Sequence, residues 1–227
     1  MLLAAGSGSR VGAGRNKVLL TVQGLPVLAH SLRTVGQVAG VTTLVVVARA
    51  GEEADVAALV DAHATVPWQI VTGGATRHAS EWAALGSLAD RIDADTVDVA
   101  AIHDSARPLA DADLWQAVVT AADRHGGAIP ARPQPGLLTR AADGHEVLDL
   151  VGVQTPQAFR AGPLLAAYRQ AAVDGFEGTD TAACVARYTD LAIAAVPAPA
   201  TNLKVTFADD VALAERLLSG RPPIRSQ

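Results

Sequence analysis

Leu2-Leu3-Ala4-Ala5-Gly6-Ser7-Gly8-Ser9-Arg10, followed at Lys17 by a lysine, is an apolar start that runs directly into a chain of small residues. Ala4, Ala5, Gly6 and Gly8 let backbone N–H groups come close to a ligand, and such a turn after an apolar strand is a cradle for an anion. The charges agree with phosphate as the guest. Residues 1–51 contain Arg10, Arg15, Lys17, Arg33 and Arg49 but no Asp or Glu, although the whole chain has a net charge of -5. For the loop taken alone, a glycine-rich strand-to-helix turn with solvated basic side chains is the alternative.

Two phosphate loops can be tested against this run, and both fail. A P-loop ends in Gly-Lys-Ser/Thr, whereas Lys17 stands between Asn16 and Val18. A dinucleotide fingerprint needs G-x-G-x-x-G and an acidic residue about 20 positions later. Gly6, Gly8 and Gly12 give one residue too many, and the first carboxylate is Glu52. Neither an ATPase nor an NAD enzyme is favoured.

The chain has 227 residues, half of them apolar and 18% charged, which suits one sizeable α/β domain, residues 1–218, better than two. Cys184 is the only cysteine, so it forms no intramolecular disulfide and no cysteine metal cluster, and it reads as a buried thiol in a cytoplasmic protein. No apolar run approaches the roughly 18 residues of a membrane span. The acidic balance, few aromatics and interspersed basic residues argue against a nucleic-acid surface.

Outward from the first loop, apolar runs alternate with helix-period segments. Residues 41–47, 68–71 and 97–102 read as buried strands, and 26–37, 52–64 and 77–92 as helices. That alternation predicts a three-layer Rossmann-like α/β fold with a mostly parallel sheet and ligands at the carboxyl ends of the strands. The Gly6 loop, Gly73-Gly74 and His103-Asp104 fall at such ends. Further on, 111–125, 161–173, 179–187 and 208–218 read as helices, and 128–131 and 192–196 as strands. Asp143-Gly144 between 137–140 and 147–151 signals a hairpin, which makes 132–153 a short β-arm. Residues 219–227 read as a frayed tail. Met1 lies so close to Gly6 that the opening strand is either very short or begins upstream of the sequence given. His103, Trp82 and Trp115 read as packed core side chains.

The spaced motifs resemble the 2-C-methyl-D-erythritol 4-phosphate cytidylyltransferase family of nucleotidyltransferases. The resemblance is carried by Ala4-Ala5-Gly6-Ser7-Gly8-Ser9-Arg10 with Lys17, Thr72-Gly73-Gly74 with Arg77 and Ser80, and His103-Asp104-Ser105-Ala106-Arg107-Pro108. It continues in family order through Gln154-Thr155-Pro156-Gln157-Ala158-Phe159, Thr179-Asp180 and Asn202-Leu203-Lys204-Val205-Thr206. It implies cytidylyl transfer from CTP to a polyol phosphate with release of pyrophosphate, in non-mevalonate isoprenoid synthesis. Arg10 and Lys17 are then transition-state cations, and Lys204 positions the acceptor phosphate. Ala4, Ala5, Gly6, Gly8, Gly74, Ser80 and Ala106 hold the nucleotide. Asp104, Arg107, Thr155 and Thr179 face the acceptor, Asp104 also touches a Mg²⁺ carried largely by the triphosphate, and the arm builds a homodimer.

The departures from the family lie on the acceptor side. After Pro130-Ala131-Arg132-Pro133 the usual Asp-Thr pair is replaced by Gly136-Leu137, and the arm arginine is missing from Val147-Leu148-Asp149-Leu150. Ala75 stands where many members carry a polar residue, and Asn16 where the family usually has proline. A paralogue acting on another polyol or sugar phosphate, or a nucleotide-binding protein without turnover, are the other functions compatible with these changes.

Overall fold

Leu44-Val45-Val46-Val47-Ala48 is buried at every position, which only a strand covered on both faces allows. In the computed structural model, which describes residues 1–6, 16–134 and 151–220, this run is β4 (Leu44–Ala48). Its alternate side chains divide between two cores: Leu44, Val46 and Ala48 face one, Val45 and Val47 the other. The parallel neighbours of β4 are β1 (Leu2–Leu3) and β5 (Trp68–Thr72), and β1 pairs in parallel on its other side with β6 (Val99–Asp104). The first core is closed by α1 (Val27–Val35), α2 (Glu53–His63) and α5 (Ala112–His125). The second is closed by α3 (Arg77–Gly86), α4 (Ala89–Asp93), α6 (Ala161–Asp174) and α7 (Thr181–Tyr188). Polar caps start several of these helices, with Thr76, Asp111 and Asp180 each accepting from a backbone N–H of the first turn.

The other half of the sheet departs from the expected parallel pattern. Gln157–Arg160 forms β9, antiparallel to both β6 and β7 (Gly126–Pro133), and β10 (Ala192–Pro197) then pairs in parallel with β7 at the edge. The order is β10-β7-β9-β6-β1-β4-β5. Four residues preceded by proline carry no readable periodicity, so β9 is specified by packing. Phe159 is fully buried, and a Cβ on Gly127 would come within 2.7 Å of its ring. At the arm, β8 (Val151–Val153) pairs antiparallel with the end of β7. The Asp143-Gly144 hairpin, the arm positions 136, 137 and 147, Gly8, Arg10 and the tail beyond 220 lie outside the described residues.

Smaller corrections have local causes. The helix expected over 77–92 divides after Gly86, and α7 begins at Thr181 because Asp180 caps it. Before α1, β2 (Thr21–Val22) and β3 (Leu25–Pro26) make a hairpin whose Gln23-Gly24 turn has φ of 49° and 75°, the left-handed pair that a tight hairpin needs. The final helix, α8 (Ala208–Ser219), covers it through Val22, Val27, Leu109, Val205 and Ala214. Trp115 and Cys184 are buried as expected, Trp82 is half-buried against the second core, and burial pushes the Cys184 thiol up to about 11. Among the described residues no helix is long and apolar enough to cross a membrane.

Because β9 joins the two halves of the sheet through Phe159, Phe159→Ala is expected to cost about 3–5 kcal/mol in urea unfolding. Gly127→Ala, which crowds the same ring, is expected to cost about 1–3 kcal/mol. A loss below about 1 kcal/mol for Phe159→Ala would show that β9 is held by its backbone ladder alone.

Candidate active site

The loops after β1, β4, β5 and β6 emerge on one edge of the sheet, and the extended segment Asn202–Thr206 returns to the same edge. Together they enclose a cleft of about 590 Å³. The structure brings Ala5, Gly6, Lys17, Gly74, Ser80, Asp104, Ala106 and Lys204 to its lining. Arg49 and Arg77, for which the sequence alone suggested no role, also line it.

One end of the cleft is a narrow slot built by close backbone approach. A Cβ on Gly73 would meet Ala5 Cβ at 2.6 Å and Ser80 Oγ at 2.9 Å, and one on Gly74 would meet Ala79 Cβ at 2.4 Å. Glycine at both positions is therefore a steric requirement. Ser80 is buried, and its hydroxyl donates to Thr76 O at 2.9 Å, which leaves its lone pairs to accept from whatever enters the slot. Ala4 departs from the expectation of a base contact. It is fully buried behind the lining, its N–H is donated to Val47 O, and its carbonyl accepts from Asn16 Nδ2 at 2.7 Å.

Asn16 explains how a chain without the usual proline holds Lys17. Its φ of -59° is the angle that proline would impose, and side-chain hydrogen bonds keep it there. Nδ2 donates to Ala4 O and to Glu52 Oε2, both at 2.7 Å, while Oδ1 accepts from Val18 N at 3.2 Å. Lys17 therefore starts a 3-10 turn, Lys17–Leu19, tied through Asn16 to the end of β1 and the start of α2. Its Cε lies 4.0 Å from where a Gly6 Cβ would stand, so the side chain lies beside Gly6.

The opposite wall is an ionic cluster. Asp104, at the end of β6, accepts from Lys204 Nζ at 2.7 Å on one oxygen and from Arg77 Nε at 3.4 Å on the other. Burial alone would push this carboxyl up, but Lys204, Arg77 and Arg107 outweigh it and hold it well below the usual carboxylate range. Behind it, burial pushes His103 down to about 3. The neutral ring donates from Nε2 to Arg107 O and accepts at Nδ1 from Thr155 Oγ1, whose oxygen in turn accepts from the Asp104 N–H at 3.0 Å. This tautomer is assigned from the partners, since Arg107 O only accepts.

Three residues expected at the acceptor do not reach the cleft. The buried Thr155 hydroxyl is used up between His103 and Asp104, so it orients the carboxylate's backbone. Arg107 donates to Asn202 O at 2.8 Å, and Val205 N donates to Ala106 O, which pins the Lys204 segment to the turn after β6. Thr179 is exposed in the loop before α7 and is not part of the lining. Arg77, Asn16 and Asn202, which stand in or beside the motifs but carried no assigned role, contribute as well, the last fully buried and donating to Gln154 Oε1 and Thr155 O. The Arg77–Glu81 spacing, i and i+4 on a helix, was a visible signal for the first. The other two act through tertiary partners, which their positions in the motifs do not reveal.

The sequence pattern of the 2-C-methyl-D-erythritol 4-phosphate cytidylyltransferase family matches residues 1–220. A cytidylyltransferase of that name from Symbiobacterium thermophilum is 38% identical over 95% of this chain and 90% of its own length. One from Bacillus velezensis is 34% identical over 95% of this chain and 93% of its own. A bifunctional IspD/IspF enzyme of Clavibacter michiganensis is 39% identical over 96% of this chain, which spans about half (54%) of that longer relative. Among solved structures, the cytidylyltransferase of Thermus thermophilus superposes with a TM-score of 0.72 at 28% identity, covering 96% of this chain and 97% of its own. The Anaerococcus prevotii synthase shares the fold, with a TM-score of 0.78 at 23% identity, over 96% of this chain and 94% of its own.

A carboxyl held low in the folded state stabilises it above the ordinary carboxylate pKa of about 3.9 and loses that contribution as pH falls towards the folded value. Asp104→Asn is therefore expected to cost about 1–3 kcal/mol near neutral pH, discounted for the partial exposure of Lys204. Below about pH 4 the gap from wild type should shrink. Urea unfolding at pH 7, 5 and 3 is the measurement, and a gap that widens towards acid would contradict the ion-pair origin. Asn16→Ala, which removes a helical-turn cap and two further hydrogen bonds, is expected to cost about 1–2 kcal/mol. Unchanged stability would contradict it.

Proposed function

Because the chain belongs to the 2-C-methyl-D-erythritol 4-phosphate cytidylyltransferase family, we propose that the cleft transfers the cytidylyl group of CTP to 2-C-methyl-D-erythritol 4-phosphate in non-mevalonate isoprenoid synthesis. The carrying observation is the pairing, in one cleft, of a glycine-walled slot with the cations Lys17 and Lys204. The slot takes the pyrimidine: Gly73 and Gly74 let the loop after β5 pack tightly on Ala5 and Ala79 and hold the slot's wall in place, and Ser80 presents an acceptor that suits the exocyclic amine of cytosine and not the carbonyl of uracil. Gly6 and Ala106 flank the sugar and phosphates.

In the reaction an oxygen of the acceptor phosphate bonds to the α-phosphorus while the bond to the bridging oxygen breaks, and pyrophosphate departs with its electron pair. The protein aligns the two reactants and supplies positive charge where charge accumulates. Lys17, held by Asn16, faces the phosphoryl oxygens without reorganisation. Lys204, anchored by Asp104, directs the acceptor phosphate. A Mg²⁺ ion arriving on the triphosphate fits the donor set, since no cluster of three metal-ligating side chains exists among the described residues and Asp104 is kept ionised on the cleft wall. Such an ion supplies neutralisation of the triphosphate charge.

The arm is read as the contact of a homodimer. Val151 and Val153 on β8 are exposed at 48% and 44%, an apolar pair on an edge strand that a second copy would cover. A cytoplasmic setting suits the unpaired, buried Cys184.

Lys17→Ala is expected to lower turnover by about 10²–10³, the usual loss for one preorganised donor. Steady-state pyrophosphate release from CTP and the acceptor, beside a thermal melt, measures it. Wild-type turnover in folded Lys17→Ala would remove Lys17 from the reaction. Ser80→Ala should reduce the CTP over UTP preference in kcat/KM by roughly tenfold, equivalent to about one neutral hydrogen bond. An unaltered ratio would place base selection elsewhere.

A further inference from the structure

Glu81 is a carboxylate with 1% exposure, one turn after Arg77 on α3, and no step above uses it. Its partners are Arg77 Nη1 at 2.6 Å and Thr181 Oγ1 at 2.6 Å on one oxygen, and Tyr168 OH at 2.5 Å on the other. Burial pushes the Glu81 carboxyl up, and Arg77, Thr181 and Tyr168 pull the other way; burial and the neighbouring Glu81 push the Tyr168 hydroxyl far up, so it retains its proton and donates. A helix face packed on Ala84, Leu85 and Leu164 would be served as well by an apolar side chain, because a buried ion pair is a poor source of net stability.

What the charge achieves is geometric. Arg77 is a long side chain, a quarter exposed at the cleft, and it forks between two carboxylates, Glu81 below and Asp104 on the wall. The contacts form one line from α6 and α7 to the cleft: Tyr168 and Thr181 hold Glu81, Glu81 holds Arg77, and Arg77 and Lys204 share Asp104. We propose that Glu81 is a positioning residue that fixes the Arg77 guanidinium in the cleft, and through it the Asp104–Lys204 pair. With Glu81 neutral, Arg77 gains freedom to turn into solvent or onto Asp104 alone. Lys204 then loses the arrangement that aims it at the acceptor phosphate.

The activity test rests on the cytidylyl-transfer reading, and a second readout does not. Glu81→Gln is expected to lower kcat/KM for the acceptor roughly tenfold in the wild-type background, and less than twofold when Arg77→Lys is already present, because both changes act through one guanidinium. A purely structural role would give the same factor in both backgrounds, and that result, or no loss in the wild-type background, overturns the proposal. Independently of turnover, the Arg77 Nε–H resonance should be sharp and protected from exchange in the native chain and averaged in Glu81→Gln. An unchanged resonance overturns the positioning role, whereas a native chain that orders Arg77 without using CTP overturns the functional reading alone. If Glu81→Gln does not fold, Glu81→Met, similar in volume and apolar, takes its place in both measurements with the same outcomes.

Discussion

β1 is two residues long yet hydrogen-bonded on both edges, and its register aligns Leu3 with Val47 of β4 and with Asp104 of β6. Every loop of the cleft inherits its height from that alignment. Ala4 N–H reaches Val47 O, Gly73 N–H reaches Ala48 O, and Ser105 N–H reaches Leu3 O, so three loops leave the sheet at one level. A shift of one residue would turn Leu2 and Leu3 to the wrong faces and move the Gly6 loop away from Asp104. The two-sided burial of β4 makes this register secure, because either core rejects a slipped strand.

On that platform the site is held by polar groups that spend their hydrogen bonds on one another. Asn16 takes the place of a rigid proline by reaching a similar backbone angle through three partners. Thr155 and a neutral His103 fix the backbone of Asp104, while Arg107 and Asn202 fasten the segment that carries Lys204. These contacts separate support from chemistry: side chains that match family motifs at Ala4, Thr155 and Arg107 face away from the cleft, and those at Lys17, Asp104 and Lys204 face into it. The cations at the cleft are thus preorganised by residues outside its lining, which is the condition for electrostatic assistance at a developing charge.

The parallel half of the sheet, most helices and the location of the cleft were legible in the chain. β-branched runs such as 44–48 announce a strand buried on both faces, and the rule that ligands sit at carboxyl ends follows from strand direction alone. The stretch without carboxylates before Glu52 also supplies Lys17 and Arg49 to the cleft lining. Local propensity and periodicity act over a few residues, and these features are local.

Tertiary structure decided the rest, because it depends on partners far apart in the chain. Gln157–Arg160 became a central antiparallel strand through the fit of Phe159 on Gly127, which no four-residue pattern encodes. Whether Thr155 points at a ligand or at His103, whether Ala4 offers its amide or spends it on Val47, and how Glu81 is held beneath Arg77 are settled by partners from other elements. Sequence determined which residue types were available near the phosphate loop. Folding determined which of them kept a free face, since a buried polar group must first satisfy its own hydrogen bonds before it can serve a ligand.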